Sequence, residues 1–162
     1  FPGSFAPFHK GHEKIILLAE KKLKARPALE ISVKNVDKPP LDFGSMEERN
    51  IPTQEIIFTN AATFEEKADL FPSATFIVGI DTLARIDEAG YYSGKRNKSK
   101  ILEKFKTQNI RFLVFGRLVN GQFLTLSSIT ISPALLELCD EIPESEFRVD
   151  ISSSEIRESE KD

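Results

Sequence analysis

Two hydrophobic periods alternate along the chain. Over His12–Ala25, Ile15, Ile16, Leu18, Ala19 and Leu23 fall on one stripe, with lysines and glutamates opposite, which predicts an amphipathic helix. Leu29–Val36 alternates with the period of a strand, and Glu55–Thr59 is a short apolar strand. Thr63–Leu70 reads as a helix, with Thr63 as cap and Glu66 three residues on. Ala74–Gly79 is an apolar run of the kind buried on both faces of a sheet. Helices are predicted over Asp81–Glu88, Ser99–Thr107, Ser132–Leu138 and Ser153–Glu160, and strands over Ile110–Phe115 and Phe147–Val149. Strands interleaved with helices predict an α/β fold: a Rossmann-like, doubly wound parallel sheet with helices on both faces. Asn120-Gly121 lies between two apolar runs in Arg117–Leu124 and predicts a β-hairpin near residues 111–125, which could add an edge strand.

Two stretches are short for that fold. A phosphate loop in such a sheet follows a strand, yet loop-like residues begin at Pro2. Little room is left for a crossover helix between Val36 and Glu55. The expectation is one domain over residues 1–162, with native residues absent before Phe1 and between Val36 and Glu55.

Composition narrows the classes. The chain has 162 residues, 40% hydrophobic, with a formal charge of −3, so neither disorder nor a broad nucleic-acid surface is expected. No apolar stretch approaches the roughly 20 residues of a membrane-spanning helix, and no secretory signal is visible. The one cysteine, Cys139, cannot form a disulfide within the chain and reads as a small hydrophobe in the run Ala134–Cys139. A cytoplasmic protein that binds neither nucleic acid nor membrane is expected, with room for a homo-oligomer or a fused upstream domain.

The chemistry concentrates in Pro2-Gly3-Ser4-Phe5-Ala6-Pro7-Phe8-His9-Lys10-Gly11-His12, which runs directly into the first predicted helix. Gly3 permits close approach of backbone to a ligand, and Gly11 keeps the helix entrance clear. His12 is expected to start the helix, whose N-terminal N–H groups and partial charge suit phosphate. His9 and His12 are the only two histidines, three positions apart, and their ring N–H groups can donate to one anion. A zinc site is disfavoured, because no cysteine or third histidine lies near. The P-loop and the dinucleotide fingerprint are absent.

Gly3–His12 resembles the GxFxPxHxGH signature of the HxGH nucleotidyltransferase superfamily, which includes adenylyltransferases and cytidylyltransferases. The resemblance implies in-line attack by an acceptor phosphate on the α-phosphorus of a nucleoside triphosphate carrying Mg²⁺, with pyrophosphate leaving and no protein nucleophile. Ile151-Ser152-Ser153-Ser154-Glu155-Ile156-Arg157 resembles the ISSTxIR motif of nicotinamide and nicotinate mononucleotide adenylyltransferases of NAD biosynthesis. Phe76–Leu83 resembles their strand-then-GxD segment. The implied catalytic residues are His9, His12 and Arg157. The implied nucleotide-binding residues are Gly3, Ser4, Phe5, Gly11, Gly79, Asp81, Ser153 and Ser154, with no protein metal site. Gly3–Phe5, His9 and His12 would hold the phosphates of ATP from one side, and Ser153, Ser154 and Arg157 from the other. Asp81 would orient ribose or acceptor, or serve as a helix cap.

The acceptor side is the weaker part of the match. Residues Asn35–Pro40 and Met46–Arg49 are only loosely similar to the nicotinate enzyme, and no tryptophan is present to stack on a nicotinic ring. Lys95-Arg96-Asn97-Lys98-Ser99-Lys100 reads either as a solvated basic face or as a mobile loop that closes on polyphosphate, as in class I tRNA synthetases. Two further readings stay open: CTP with a phosphorylated alcohol as substrates, and a regulatory module that binds nucleotide without turnover.

Overall fold

The computed structural model describes residues 1–34, 41, 44, 51, 53–88, 95–119 and 121–149. These residues form an α/β structure with a parallel sheet flanked by helices, as the alternating periods predict. Two compact units are present: Phe1–Thr63 with Val149–Asp162, and Phe64–Arg148.

In the first unit the order is α1 (Lys10–Leu23), β1 (Leu29–Ser32) and β2 (Ile56–Thr59). β1 and β2 pair in parallel, from Leu29 opposite Ile56 to Ser32 opposite Thr59. The chain start runs alongside β1: Pro2 bridges Glu30 in parallel, Glu30 N donates to Phe1 O at 2.9 Å, and Gly3 N donates to Glu30 O at 3.0 Å. The loop therefore leaves an extended segment, as a phosphate loop requires. The predicted stripe of α1 is the buried one: Ile16 and Ala19 are buried, and Ile15, Leu18 and Leu23 are half-buried. Phe5, Ile16, Leu29 and Ile31 form the core, with Phe1, Phe8, Leu41, Ile51 and Ile56 packed against it. Glu30 is buried in this unit, and its Oε1 accepts from Thr59 Oγ1 at 2.5 Å.

In the second unit the order is α2 (Phe64–Leu70), β3 (Thr75–Gly79), α3 (Ile80–Asp87), α4 (Lys95–Thr107), β4 (Arg111–Phe115), β5 (Arg117–Val119), β6 (Gln122–Leu124), α5 (Pro133–Leu136) and β7 (Cys139–Ile142). The sheet is β3-β4-β7, parallel throughout, with Gly79 opposite Phe115 and Phe115 opposite Ile142. Phe112–Phe115 are all buried, the pattern of a central strand covered on both faces. One face carries Phe76, Val78, Phe112 and Val114 into a core with Phe64, Leu83 and Phe105.

The third strand of that sheet departs from the sequence reading. Phe147–Val149 is not a strand; Cys139–Ile142 is. Two acids in Cys139-Asp140-Glu141-Ile142 hide it from a hydrophobic search. Both are matched in the fold: Asp140 Oδ2 accepts from Arg111 Nη2 of the neighbouring strand at 2.8 Å, and Glu141 Oε1 accepts from Leu126 N at 2.6 Å. The hairpin forms as predicted, with Arg117 opposite Leu124 and Gly121 at φ 77°. It makes a two-stranded sheet of its own and is not an added edge strand. Its stem closes on Gly116, where a Cβ would lie 2.6 Å from the Phe123 ring and 2.8 Å from Leu124 O.

Cys139 is half-buried, and its thiol donates to Leu135 O at 3.2 Å. Burial pushes the thiol up from its ordinary value of 9.0 to about 12. The folded chain thus holds this proton more tightly than the unfolded chain. The resulting stabilisation is complete below about pH 9 and is lost as pH rises toward 12. Relative to Cys139→Ala, the wild type should lose denaturation midpoint between about pH 9 and pH 11. Parallel midpoint curves would contradict this.

Candidate functional site

α1 begins two residues earlier than the pattern suggests, because His9 caps it. His9 has extended backbone (φ −145°, ψ 170°), and its Nδ1 accepts from Gly11 N at 3.1 Å. His12, at the third helical position, returns the bond: its Nδ1 accepts from His9 N at 3.2 Å. This is a reciprocal capping box built from two histidines in place of the usual hydroxyl and carboxamide or carboxylate. The bond pattern fixes a chemical state. A neutral imidazole that accepts at Nδ1 carries its proton at Nε2, so both rings are Nε2–H donors. The rings stack with centroids 3.8 Å apart and 30° between planes. His12 also stacks against Phe8 at 5.3 Å and 21°, and the Phe5 ring meets it edge-on at 5.1 Å.

Gly11 N is therefore occupied by the His9 ring, and the site's distinctive donors are imidazole N–H groups in addition to the helix terminus. The loop glycines have reasons internal to the protein. A Cβ on Gly3 would lie 2.8 Å from Phe5 Cζ, and one on Gly11 would lie 2.9 Å from His9 Nδ1 and 3.2 Å from Val149 Cγ1. Phe5 holds a left-handed backbone (φ 47°), which costs a branched or bulky residue about 1–2 kcal/mol. Its ring is buried, and burying a Phe side chain contributes about 1.5–3 kcal/mol, enough to hold that conformation. Gly3 and Ser4 are exposed, while His9 and His12 are half-buried.

In Gly11→Ala the helix-propensity gain of about 1 kcal/mol is offset by loss of the bond from Gly11 N to the His9 cap, worth about the same, so stability should change little. The substitution should also push the His9 ring aside and lower turnover about tenfold to hundredfold. Thermal unfolding and pyrophosphate release measured on the same preparation check both; a variant as active as wild type would contradict the packing account.

Gly79 and Asp81 lie at the carboxyl edge of the sheet in the second unit, as the sequence predicts. Gly79 ends β3 and is the N-cap of α3, so Asp81 sits in the first helical turn and is not the cap residue. The helix starts one residue early, at Ile80, directly after Gly79, whose backbone is still extended (φ −77°, ψ 157°). Asp81 Oδ2 accepts from Arg117 Nη1 at 2.8 Å, and a Cβ on Gly79 would lie 2.7 Å from Asp81 Oδ1. Arg117 carries no motif signal. It is 36 residues from Asp81, and only the parallel register of β3 and β4 brings the two together.

Ser153, Ser154 and Arg157 lie outside the described residues, as do Asn35–Pro40 and the helix predicted over Ser153–Glu160. The basic run Lys95–Lys100 is not a loop: it forms the first turns of α4. Lys98 pairs with Asp87 at 2.7 Å, and Asp87 in turn accepts from Ser132 N at 2.9 Å. Among the described residues, no group of three or more His, Cys, Asp or Glu side chains is placed to hold a metal ion. No helix among them is long and apolar enough to cross a membrane.

The sequence matches the cytidylyltransferase-like family over residues 1–159, and the chain belongs to that family. The family is that of the HxGH nucleotidyltransferases, so nucleotidyl transfer on a Rossmann-like fold is the activity class it suggests. No curated protein matches the sequence.

Proposed function

We propose that the chain transfers the adenylyl group of MgATP to a phosphorylated acceptor, nicotinamide or nicotinate mononucleotide, with release of pyrophosphate. The observation that carries this reading is the reciprocal histidine cap, which makes both His9 and His12 Nε2–H donors at the start of α1. An acceptor phosphate oxygen forms a bond to the α-phosphorus, and the bond from that phosphorus to the bridging oxygen breaks. Negative charge collects on the departing pyrophosphate. Donors already oriented by packing stabilise that charge without reorganising, which is the main catalytic contribution the loop can make. The likeness of Ile151–Arg157 and Phe76–Leu83 to mononucleotide adenylyltransferase motifs supports the acceptor, with Ser153, Ser154 and Arg157 on phosphate and Asp81 on a sugar hydroxyl.

The test is a panel of triphosphates and acceptors read by pyrophosphate release, with the two mononucleotides first and CTP with phosphorylated alcohols as a separate arm. Release with ATP and a mononucleotide is expected. Release only in the CTP arm would overturn the donor and acceptor while keeping the class.

A further inference from the structure

Asp81 and Arg117 form a device at the carboxyl edge of the parallel sheet in the second unit. β3 and β4 are neighbours, and Gly79 opposite Phe115 is their last paired position. Just beyond it, α3 begins on one strand and carries Asp81 in its first turn. On the other strand Gly116 alone separates β4 from the hairpin, and contact with Phe123 and Leu124 leaves no room for a side chain there. Arg117, first in β5, lies beside Asp81 and donates to it. The two carboxylate oxygens have different surroundings. Oδ2 is taken by Arg117 Nη1 at 2.8 Å, whereas Oδ1 lies over Gly79, where the missing side chain makes room for it.

A solvent-exposed pair of this kind adds little to stability, and these side chains are 39% and 44% exposed. Its geometry suits a different task. An ionised carboxylate only accepts hydrogen bonds, so it repels phosphate and selects a ligand group that donates. Carboxyl ends of parallel strands are also where open α/β sheets take their ligands. We infer that Arg117 is a positioning residue that holds the Asp81 carboxylate so that Oδ1 accepts from a ribose hydroxyl, making the site selective for ribonucleotides over deoxyribonucleotides. The inference rests on the reading of Asp81 as the sugar-orienting residue, and the ribose belongs either to the triphosphate or to the acceptor.

Calorimetric titration of the full chain decides it, using ATP, CTP and nicotinamide mononucleotide, each against its 2′-deoxy and 3′-deoxy forms. In the wild type at least one ribonucleotide should bind about tenfold to hundredfold more tightly than a deoxy form, the range of a hydrogen bond to a charged group. Arg117→Gln and Asp81→Asn should each bring that ratio to within about twofold by weakening the ribonucleotide alone, whereas Arg117→Lys should retain most of it. The ligand that shows the effect identifies the source of the ribose. A ratio unchanged in Arg117→Gln, or no ribonucleotide preference in the wild type, overturns the inference. Pyrophosphate release is measured separately: its absence from the wild type would sink the transferase reading, while the binding ratios would still decide the role of Arg117.

Discussion

His12→Ala should lower kcat by about 10²–10³, the cost of removing one preorganised donor to developing charge, with a much smaller change in the KM for triphosphate. The same substitution removes the acceptor for His9 N and one partner of the His9 and Phe8 rings, so it should also lower stability by about 1 kcal/mol. Two variants separate these effects. His12→Gln supplies a carboxamide at the third helical position, where glutamine is a natural partner in a capping box. It should recover the stability and only part of the turnover. Phe8→Leu keeps both Nδ1 bonds and removes the stacked ring, so it should cost less turnover than His12→Ala. Steady-state kinetics with denaturant unfolding on each variant checks this. If His12→Ala turns over normally, the donor role is wrong.

Phe112→Ala should cost about 3–5 kcal/mol, the largest stability loss expected from a single side chain here. Phe112 is fully buried on β4, with ring centroids 5.6 Å from Phe105, 5.9 Å from Phe64 and 6.1 Å from Phe76. Three rings drawn from α2, β3 and α4 thus meet on one. Removing it opens a cavity that none of these neighbours can fill without leaving the others. Since whole domains are stable by about 5–15 kcal/mol, this loss is between about a fifth and all of the total. Phe112→Leu should lose less than half as much, because it retains most of the volume. Denaturant midpoints with an unchanged slope give the comparison; an alanine variant within about 1 kcal/mol of wild type would contradict this packing.

What could be read from the sequence followed the strength of the local signal. The stripe of α1, the apolar run of β3 and the Asn-Gly hairpin each follow from side-chain period or turn chemistry, and each stands where expected. The misses fall on charged or unusual residues whose partners carry no signal in a hydrophobic pattern. β7 is hidden by Asp140 and Glu141, which answer to Arg111 and Leu126 N. The start of α4 is hidden by lysines at a helix N-terminus, where cations are disfavoured, and Ser99 looks the better cap. The His9 cap is hidden because histidine is not a usual capping residue, and His-x-x-His at a helix entrance is the only signal for it. The loop from Gly3 to His12 and its turn into α1 are legible because their signal is local. The pairing of Asp81 with Arg117 is not, since strand register alone creates it.

The loop from Gly3 to His12 is proposed to serve nucleotidyl transfer to an acceptor phosphate. The most direct test is the fate of label from ATP carrying phosphorus-32 at the α or the γ position, incubated with the chain and nicotinamide or nicotinate mononucleotide. α-Label is expected in the dinucleotide product and γ-label in pyrophosphate, with both appearing about 10²–10³ more slowly in His12→Ala. Transfer of γ-label to the acceptor, or α-label that remains in ATP with every acceptor, would contradict this role.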